Sequence, residues 1–347
     1  MAAQKGMTIG ILTGGGDCPG LNPVIRAVVR KAEKEGIKVL GIRNGWKGMI
    51  ENDTFELNLD SVSGILPKGG TILGTSRTNP YKKEGAVDKV RENYKKMGLY
   101  ALVATGGEDT LGVASKLVKD GVGNFVGVPK TIDNDLACTD YTFGFDTAVN
   151  IAMECIDRLH TTAESHHRIL VAEVMGRHAG WIAVEAGIAG GADYILMPEE
   201  ATDLDEVCES IKHRHARGKT FSIIVVAEGA QLKNQDITKD KSLDEFGHVK
   251  LGGIGDYVAK EIEKRTGFET RVSVFGHIQR GGSPTAFDRI LGTRFGVKAV
   301  ELIMQKKFGR MVALSGNAII DVPLEDAVKA LKTVDKEWFD LARVFFG

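Results

Sequence analysis

Cysteine and proline are scarce in this chain of 347 residues. Its four cysteines are dispersed without a CxxC pair, which indicates reduced thiols and not a disulfide framework. No apolar run reaches the roughly 20 residues of a membrane-spanning helix, and the first residues lack a signal-peptide pattern. We therefore expect a cytoplasmic protein with no membrane partner.

An excess of charge of one sign is also missing, since 45 Lys and Arg residues are matched by 46 Asp and Glu residues. This balance argues against a nucleic-acid partner. The length predicts about two domains, at roughly 150 residues each. Glycine, by contrast, is abundant, with 43 residues or about 12% of the chain compared with a usual ~7%. Such a content predicts many sharp turns or close backbone approaches.

Short β-branched runs alternate along the chain with helical patterns such as Leu21–Glu35, in which apolar residues recur every three or four positions. This alternation predicts βαβ units, and therefore an α/β fold with mostly parallel sheets covered by helices. The predicted strands are Thr8–Leu12, Val39–Arg43, Leu102–Thr105, Phe125–Val128, Ile169–Glu173, Tyr194–Met197, Phe221–Ala227 and Arg271–Phe275.

Clusters of glycine, carboxylate and basic residues follow six of these strands. Ligands of parallel sheets bind outside the carboxyl ends of the strands, so the clusters predict a ligand site there. They are Thr13–Asp17, Thr105–Thr110, Pro129–Asp135, Met175–Gly180, Glu228–Ala230 and Phe275–Pro284.

The first cluster, Thr13–Asp17, places three glycines between a strand and a helix. Backbone N–H groups there can converge on an anion, and a tight strand–helix turn is the alternative. A dinucleotide fingerprint would need a glycine where Pro19 stands, which disfavours a nicotinamide-dependent oxidoreductase. A Walker loop is excluded as well, because its near match ending in Gly218–Thr220 lacks the upstream glycine.

Carboxylates dominate the next two clusters. Glu108 and Asp109 repel each other unless a cation such as Mg²⁺ binds, and an acidic helix start is the alternative. If the segment after Lys130 is extended, Thr131, Asp133 and Asp135 share one face, where a carboxylate can act as a general base. A turn stabilised by aspartate side chains is the alternative there.

Basic side chains accompany the remaining clusters. His277 and Arg280 beside a glycine pair suit a sugar phosphate, although any one of these residues alone is typical of a protein surface. Together they predict a polyanionic substrate. Further candidates of the same kind are Arg168, Arg177 and Arg271.

These motifs, taken in order, resemble the 6-phosphofructokinase family over nearly the whole chain. They read TGGGDCPGLNPVIR, GGTILGTSR, GGEDT, PKTIDND, TDYTFGFDTA, EVMGRHAGW, AEG and FGHIQRGGSPTAFDR. The resemblance implies two doubly wound, Rossmann-like three-layer α/β/α domains. Residues 1–143 plus 279–328 would bind the phosphoryl donor, and residues 144–278 plus 329–347 would bind fructose 6-phosphate.

The resemblance also implies roles for individual residues. Asp133 would deprotonate the 1-hydroxyl of fructose 6-phosphate, while Thr131 and Arg177 steady the transferring phosphoryl group. Arg168 and Arg271 would reach the neighbouring subunit's site, which implies a homo-oligomer, either dimer or tetramer. The other residues implied to hold the sugar phosphate are Asp135, Met175, Gly176, Glu228, His277 and Arg280. Those implied to hold the donor are Gly15, Gly16, Arg77, Gly107, Glu108 and Thr110.

Two charged residues bear on the identity of the donor. Family members that use ATP typically have glycine at the positions of Asp109 and Lys130, whereas the diphosphate-using branch has charged residues, as here. Asp109 would repel the α-phosphate of ATP, and Lys130 would neutralise diphosphate. The resemblance further implies a Mg²⁺ ion at Glu108, where aspartate is more usual.

We therefore expect a Mg²⁺-dependent, reversible transfer from diphosphate to fructose 6-phosphate, giving fructose 1,6-bisphosphate and phosphate in glycolysis. ATP is the alternative donor, because a related mixed group keeps Lys130 and uses ATP, generally with glycine at the Asp109 position. A non-catalytic regulatory subunit that binds sugar phosphates is the alternative from another class. The presence of Asp133, which such a subunit would not need, disfavours it.

Overall fold

The computed structural model describes residues 6–233 and 253–347. Two compact units make up the chain. Unit 1 comprises Met1–Ile132, Leu136–Thr147 and Arg280–Leu331, and unit 2 comprises Asp133–Asp135, Ala148–Gln279 and Lys332–Gly347. All four cysteines are free thiols. In the described ranges, the helices are too short or too polar to cross a membrane.

Strands and helices alternate through most of the chain. The strands are β1 (Thr8–Thr13), β2 (Lys38–Ile42), β3 (Thr54–Leu57), β4 (Ala101–Gly106), β5 (Phe125–Thr131), β6 (Phe143–Gly144), β7 (Ile169–Val174), β8 (Tyr194–Leu196), β9 (Ser222–Ala227), β10 (Thr270–Val274), β11 (Arg310–Ser315) and β12 (Ala318–Pro323). The helices are α1 (Leu21–Lys34), α2 (Trp46–Glu51), α3 (Ala86–Lys96), α4 (Glu108–Lys119), α5 (Phe145–His166), α6 (Trp181–Ala189), α7 (Leu204–Ala216), α8 (Ile254–Thr266), α9 (Ala286–Met304), α10 (Leu324–Ala327) and α11 (Lys336–Arg343). Two 3₁₀ turns span Pro80–Lys82 and Gly276–Arg280.

Unit 1 is built on a mixed sheet whose strand order is β12-β11-β5-β4-β1-β2-β3, with β6 paired to β5. The central strands β1, β4 and β5 are parallel and buried along nearly their whole length. Strands covered on both faces must be apolar throughout, which explains their continuous hydrophobic runs. The pairs β2–β3 and β11–β12 are antiparallel and form the two edges.

The register of the central strands places the turns that follow them side by side. Thr13 of β1 is opposite Thr105 of β4, and Gly106 of β4 is opposite Pro129 of β5. The first three polar clusters therefore begin at one edge of the unit 1 sheet.

Helices α1 and α9 pack closely because α9 presents glycine to α1. A Cβ atom at Gly296 would lie 2.7 Å from the Val24 carbonyl oxygen, and one at Gly292 would lie 3.0 Å from the Gly20 carbonyl oxygen. A larger residue at either position would push α9 away from α1.

Unit 2 is built on a parallel sheet with the strand order β10-β7-β9-β8. Apolar residues of α7 and α8, among them Val207 and Val258, share a buried core with Val171 of β7 and Ile224 of β9. The last three polar clusters follow β7, β9 and β10, the three neighbouring strands of this sheet.

The predicted α/β class is confirmed, and all eight predicted strands are present, as β1, β2, β4, β5, β7, β8, β9 and β10. The strands β3, β6, β11 and β12 were not predicted. Strands β3 and β12 are partly exposed edge strands, and β6 has only two residues, so none of these three gives a long apolar run. The assignment of the donor and of fructose 6-phosphate to particular domains remains a prediction.

One buried carboxylate organises the start of α5 within unit 1. Asp288, in the first turn of α9, is 0% exposed and accepts hydrogen bonds from the backbone N–H groups of Gly144 (2.9 Å) and Thr147 (2.8 Å). The Thr147 hydroxyl donates a third, at 2.5 Å. Helix starts leave such N–H groups without helical partners, and Asp288 satisfies them. Burial nevertheless raises the pKa of Asp288 from 3.8 to about 6.

A group whose folded-state pKa is raised contributes stability that is lost as pH rises through that pKa. We therefore predict that the free energy of unfolding of the native chain, relative to the Asp288→Asn variant, is higher by about 1.4 kcal/mol at about pH 5 than at about pH 7.5. Urea unfolding of both chains at the two pH values measures this double difference. Equal differences between the two chains at both pH values would contradict the raised pKa of Asp288.

Candidate functional site

The glycine turn after β1 is fixed by hydrogen bonds to neighbouring loops of unit 1. Gly14 N–H donates to the Thr105 carbonyl (2.9 Å), and Gly15 N–H donates to the Ser76 carbonyl (3.3 Å). The Thr75 hydroxyl donates to the Gly15 carbonyl at 2.6 Å. Two of the amides expected to face an anion are therefore used inside the protein. An anion at this turn would depend mainly on nearby cationic side chains.

Thr110, an expected donor-binding residue, is buried between two glycine turns. Its hydroxyl lies 2.5 Å from the place of a Cβ atom at Gly14, and its side chain also overlaps the place of a Cβ atom at Gly106. The indole N–H of Trp46 donates to the Thr110 carbonyl at 3.3 Å. Thr110 therefore spaces the turns after β1 and β4, and glycine is required on both sides of it.

Two cations converge on the residues Gly15–Asp17. Lys130, at the end of β5, is 4% exposed, and its ammonium donates to the Gly16 carbonyl at 2.5 Å. The Arg280 guanidinium donates to the Asp17 carbonyl at 3.4 Å and occupies the space that a Cβ atom at Gly16 would need. The resemblance implies that Arg280 holds the sugar phosphate. In this structure it lies with the expected donor residues of unit 1.

The loop that carries Arg77 is anchored by a residue that the sequence analysis did not single out. Asn22 is 1% exposed, and its amide donates to the carbonyls of Lys68 (3.0 Å) and Gly69 (3.3 Å). Its side-chain oxygen accepts from the Ile72 N–H at 2.9 Å. An asparagine near a helix start is ordinary in a sequence, so only its burial reveals this role.

Glu108 and Asp109 are exposed and form the first turn of α4, directly after Gly107. Carboxylates are favourable near a helix N-terminus, so this position suits a structural role as well as a functional one. No group of three or more metal-ligating residues occurs in the described part of the chain. Mg²⁺ is typically held by one or two carboxylates together with substrate phosphates. The carboxylates of Glu108 and Asp109 therefore fit a Mg²⁺ ion whose remaining ligands come from a phosphate substrate.

In unit 2, the turns after β7 and β9 interlock. Gly229 N–H donates to the Gly176 carbonyl at 3.1 Å, and Glu228 N–H donates to the Val174 carbonyl at 2.8 Å. Gly176 has a φ of 133°, a conformation that favours glycine. A Cβ atom at Gly229 would overlap the Arg177 carbonyl oxygen. The expected sugar-phosphate residues Met175, Gly176, Arg177 and Glu228 are thus brought together.

Gln279 connects this group to His277, and the sequence analysis did not identify it. Its side chain is fully buried; its carbonyl accepts from the Met175 N–H at 3.4 Å, and its amide donates to the Gly276 carbonyl at 3.2 Å. His277 itself is exposed on the same 3₁₀ turn. A buried glutamine in a turn is costly unless it is bonded, and these two bonds fix the turn beside Met175.

An acidic residue lies directly behind these turns. Glu173 of β7 is 5% exposed and accepts from the Gly255 N–H at 2.8 Å. Burial raises the pKa of Glu173, and the nearby Glu228 carboxylate raises it further. A cationic or hydroxyl-rich ligand would be favoured at Glu228, and a phosphate must be held by the basic residues of the turns.

The segment after β5 does not continue as an extended strand. Strand β5 ends at Thr131, and Asn134 has a φ of 50°, a left-handed conformation that asparagine tolerates. The condition that would put Thr131, Asp133 and Asp135 on one extended face is therefore not met, and the segment bends instead. Thr131 belongs to unit 1, whereas Asp133 and Asp135 belong to unit 2, where the Asp135 carbonyl accepts from the Lys332 N–H at 2.9 Å.

Arg168 and Arg271 lie at the opposite end of the unit 2 sheet from Met175. Arg168 precedes β7, Met175 follows it, and the seven intervening steps span roughly 20 Å at the usual strand rise. Arg271 is near the start of β10, which runs parallel to β7. Within unit 2, neither arginine is therefore grouped with the turn at Met175.

Comparisons with known proteins agree with the motifs. Residues 8–303 match the family described as Phosphofructokinase. A relative from Streptomyces coelicolor, named pyrophosphate–fructose 6-phosphate 1-phosphotransferase, is 57% identical over 343 residues, which cover 98% of this chain and 100% of the relative. A relative from Mycobacterium leprae, named ATP-dependent 6-phosphofructokinase, is 50% identical over 344 residues, which cover 98% of this chain and 100% of the relative.

A solved structure of phosphofructokinase from Saccharomyces cerevisiae has the same fold, with a TM-score of 0.81 and 31% sequence identity. The match covers 98% of this chain and 46% of the yeast chain. This chain therefore spans about half the length of the yeast protein that it resembles.

We predict that Gly229→Ala weakens the binding of fructose 6-phosphate, because the new methyl group must displace the Arg177 carbonyl and the turn at Gly176. A displacement near 1 Å can cost about 100-fold, and we expect a fall of that order in kcat/KM for the sugar phosphate. Steady-state kinetics with varied fructose 6-phosphate measures it. Gly112→Ala, in a helix with no neighbour within 4 Å of the new methyl, is the matched control and should be neutral. An unchanged kcat/KM for Gly229→Ala would contradict the interlock.

Proposed function

Because the chain belongs to the phosphofructokinase family, we propose that it transfers a phosphoryl group from diphosphate to the 1-hydroxyl of fructose 6-phosphate. The products are fructose 1,6-bisphosphate and phosphate, as in glycolysis. The observation that carries the choice of donor is the carboxylate of Asp109, exposed in the first turn of α4. The ammonium of Lys130, which donates to the Gly16 carbonyl, supports an anion at the glycine turn. The relative from Streptomyces coelicolor, which is named as a pyrophosphate-dependent enzyme, supports the same choice.

Charge at the donor position favours a compact polyanion. The ammonium of Lys130 lies beside Gly16, so a diphosphate bound at Gly15 and Gly16 would be attracted by its positive charge. The carboxylate of Asp109, in the first turn of α4, would repel the α-phosphate of ATP, which diphosphate lacks. Asp109 is exposed, so solvent screens its charge, and we expect the repulsion to be worth about 1 kcal/mol, on the order of a tenfold preference between donors.

ATP is the second candidate donor, and a specific observation favours it. The relative from Mycobacterium leprae carries an ATP-dependent name at 50% identity over the full chain. The two donors therefore occur among relatives of similar identity, and the difference must lie in a few residues.

The chemistry assigns a task to each of three residues. Asp133 accepts the proton of the 1-hydroxyl of fructose 6-phosphate while the oxygen of that hydroxyl forms a bond to one phosphorus of diphosphate. The bond from that phosphorus to the bridging oxygen breaks, and phosphate leaves. Arg177 and Lys130 balance the negative charge on the transferring and leaving groups. Mg²⁺, held by Glu108 and the substrate phosphates, would supply further neutralisation of the diphosphate charge.

A homo-oligomer, dimer or tetramer, forms part of the proposal. Along the strands, Arg168 lies roughly 20 Å from the turn at Met175, and Arg271, which is opposite Leu170, lies roughly 17 Å from it. Both distances are beyond the reach of an arginine side chain. A phosphate held at that turn can meet these arginines only if they belong to another copy of the chain.

The first experiment compares initial rates with fructose 6-phosphate and Mg²⁺ when the donor is diphosphate or ATP. We predict activity with diphosphate and little with ATP. In Asp109→Gly, ATP activity should rise by about tenfold because the repulsion of the α-phosphate of ATP is removed, and diphosphate activity should fall.

Asp205→Gly is the matched control, since it removes an acidic residue from the first turn of α7 in unit 2. It should leave the ratio of the two activities unchanged. A native preference for ATP would overturn the choice of donor. Absence of activity with both donors would overturn the proposed reaction.

The oligomer is tested by mixing two defective chains. Asp133→Asn should lose about 10²- to 10⁴-fold in kcat through loss of the base. Arg271→Ala should lose affinity for fructose 6-phosphate. If Arg271 serves a neighbouring copy, a co-expressed and co-purified hybrid contains sites with both functions intact. We predict that its activity exceeds that of either variant alone, and an activity no higher than the Arg271→Ala chains would contradict the proposal.

A further inference from the structure

One carboxylate holds both of the arginines expected to serve a neighbouring copy. Glu269 directly precedes β10, and its Oε1 atom lies 2.8 Å from an Nη2 atom of Arg168 and 2.5 Å from an Nη2 atom of Arg271. Glu269 therefore bridges the guanidinium group of Arg168, which directly precedes β7, and that of Arg271 in β10.

The backbone of unit 2 fixes this arrangement. Parallel pairing puts Thr270 opposite Ile169, and Ile169 N–H donates to the Glu269 carbonyl at 3.0 Å. Arg271 is held a second time, because its Nη1 atom donates to the Thr270 carbonyl at 2.9 Å. The two guanidinium groups are thus set side by side at the amino ends of β7 and β10.

The cluster carries an excess positive charge that reaches solvent. Arg168 and Arg271 together carry two positive charges against the one negative charge of Glu269, and their side chains are 29% and 55% exposed. The hydrogen bond from Arg168 holds the pKa of Glu269 below its ordinary value, so the carboxylate is charged at neutral pH. Among the described residues, the Nε atom of Arg168 is buried without a hydrogen-bond partner.

We propose that Glu269 is a positioning residue, whose carboxylate holds Arg168 and Arg271 as a preformed pair for the phosphate of a sugar phosphate bound to a second copy of the chain. The inference rests on the proposed function. Each guanidinium has five N–H donors, so one contact with Glu269 leaves donors for a phosphate. Long side chains lose rotamer freedom on binding, and an arrangement that is already ordered reduces that loss.

The opposite role would be competition, in which the Glu269 carboxylate repels the incoming phosphate and occupies the N–H groups of Arg168 and Arg271 that the phosphate needs. The two roles differ in sign. Removal of the charge at Glu269 weakens sugar-phosphate binding if the residue positions the arginines, and strengthens it if the residue competes.

The test is Glu269→Gln, which keeps the shape of the side chain and removes its charge. We expect KM for fructose 6-phosphate to rise by about tenfold, with kcat and KM for the donor unchanged. Calorimetric titration with fructose 6-phosphate should show the same loss in Kd. Glu269→Asp, which is too short to reach both guanidinium groups, should also weaken binding.

Glu261→Gln is the matched control. Glu261 of α8 lies 2.8 Å from an Nη2 atom of Arg265, so the variant breaks an arginine–glutamate pair elsewhere in unit 2. It should leave KM and Kd for fructose 6-phosphate unchanged.

A lower or unchanged KM and Kd in Glu269→Gln would overturn the positioning role, even if the variant unfolds at a lower temperature. Calorimetry separates this inference from the proposed reaction, because it requires no turnover. A native chain that binds fructose 6-phosphate without activity would overturn the reaction and leave the role of Glu269 to be decided by Kd. A native chain that does not bind fructose 6-phosphate would overturn both.

Discussion

The close approach of turns at the carboxyl ends of parallel strands is the constraint on which the candidate donor residues depend. Parallel register ends β1, β4 and β5 at one edge, and the turns that follow must then fit beside one another. Gly14 and Gly106 allow this because the side chain of Thr110 fills the space where their Cβ atoms would lie. Lys130 reaches the Gly16 carbonyl only because the turn after β1 is this compact. Gly15 leaves room for the cation, since a Cβ atom there would lie 3.4 Å from Lys130 Nζ.

In unit 2, the direction of the strands separates two groups of basic residues. Strand β7 carries Arg168 at its amino end and leads to Met175 and Arg177 at its carboxyl end. A single strand therefore contributes to two places roughly 20 Å apart. In a monomer this separation would leave the arginines at the amino end without a substrate. It has a simple explanation if two copies of the chain exchange these residues, and Glu269 then keeps the exchanged pair ordered.

Much of this architecture was predictable because hydrophobic runs and glycine clusters are local signals. Strands such as β1 and β7 are buried on both faces, so their sequences are continuously apolar. Family membership was predictable as well, since eight motifs recur in order. The roles of Asn22 and Gln279 were not predictable, because both are polar residues whose partners are far away along the chain. The bend at Asn134 was only an alternative in the sequence analysis, because an asparagine with positive φ looks like any other asparagine in the sequence.

The two residues proposed to determine the phosphoryl donor differ in how much the fold depends on them. Lys130 is buried at the end of a central strand, so its replacement would disturb the packing around the glycine turn. Asp109 is exposed in the first turn of α4, where many residues are compatible with the helix. A substitution at Asp109 would therefore cost little stability, while it would change the charge near the position of the α-phosphate of ATP. If Asp109 selects the donor as proposed, this asymmetry would allow full-length relatives of similar identity to carry names that specify different donors. The fold would then tolerate either donor, and the charge at one exposed helix position would select between them.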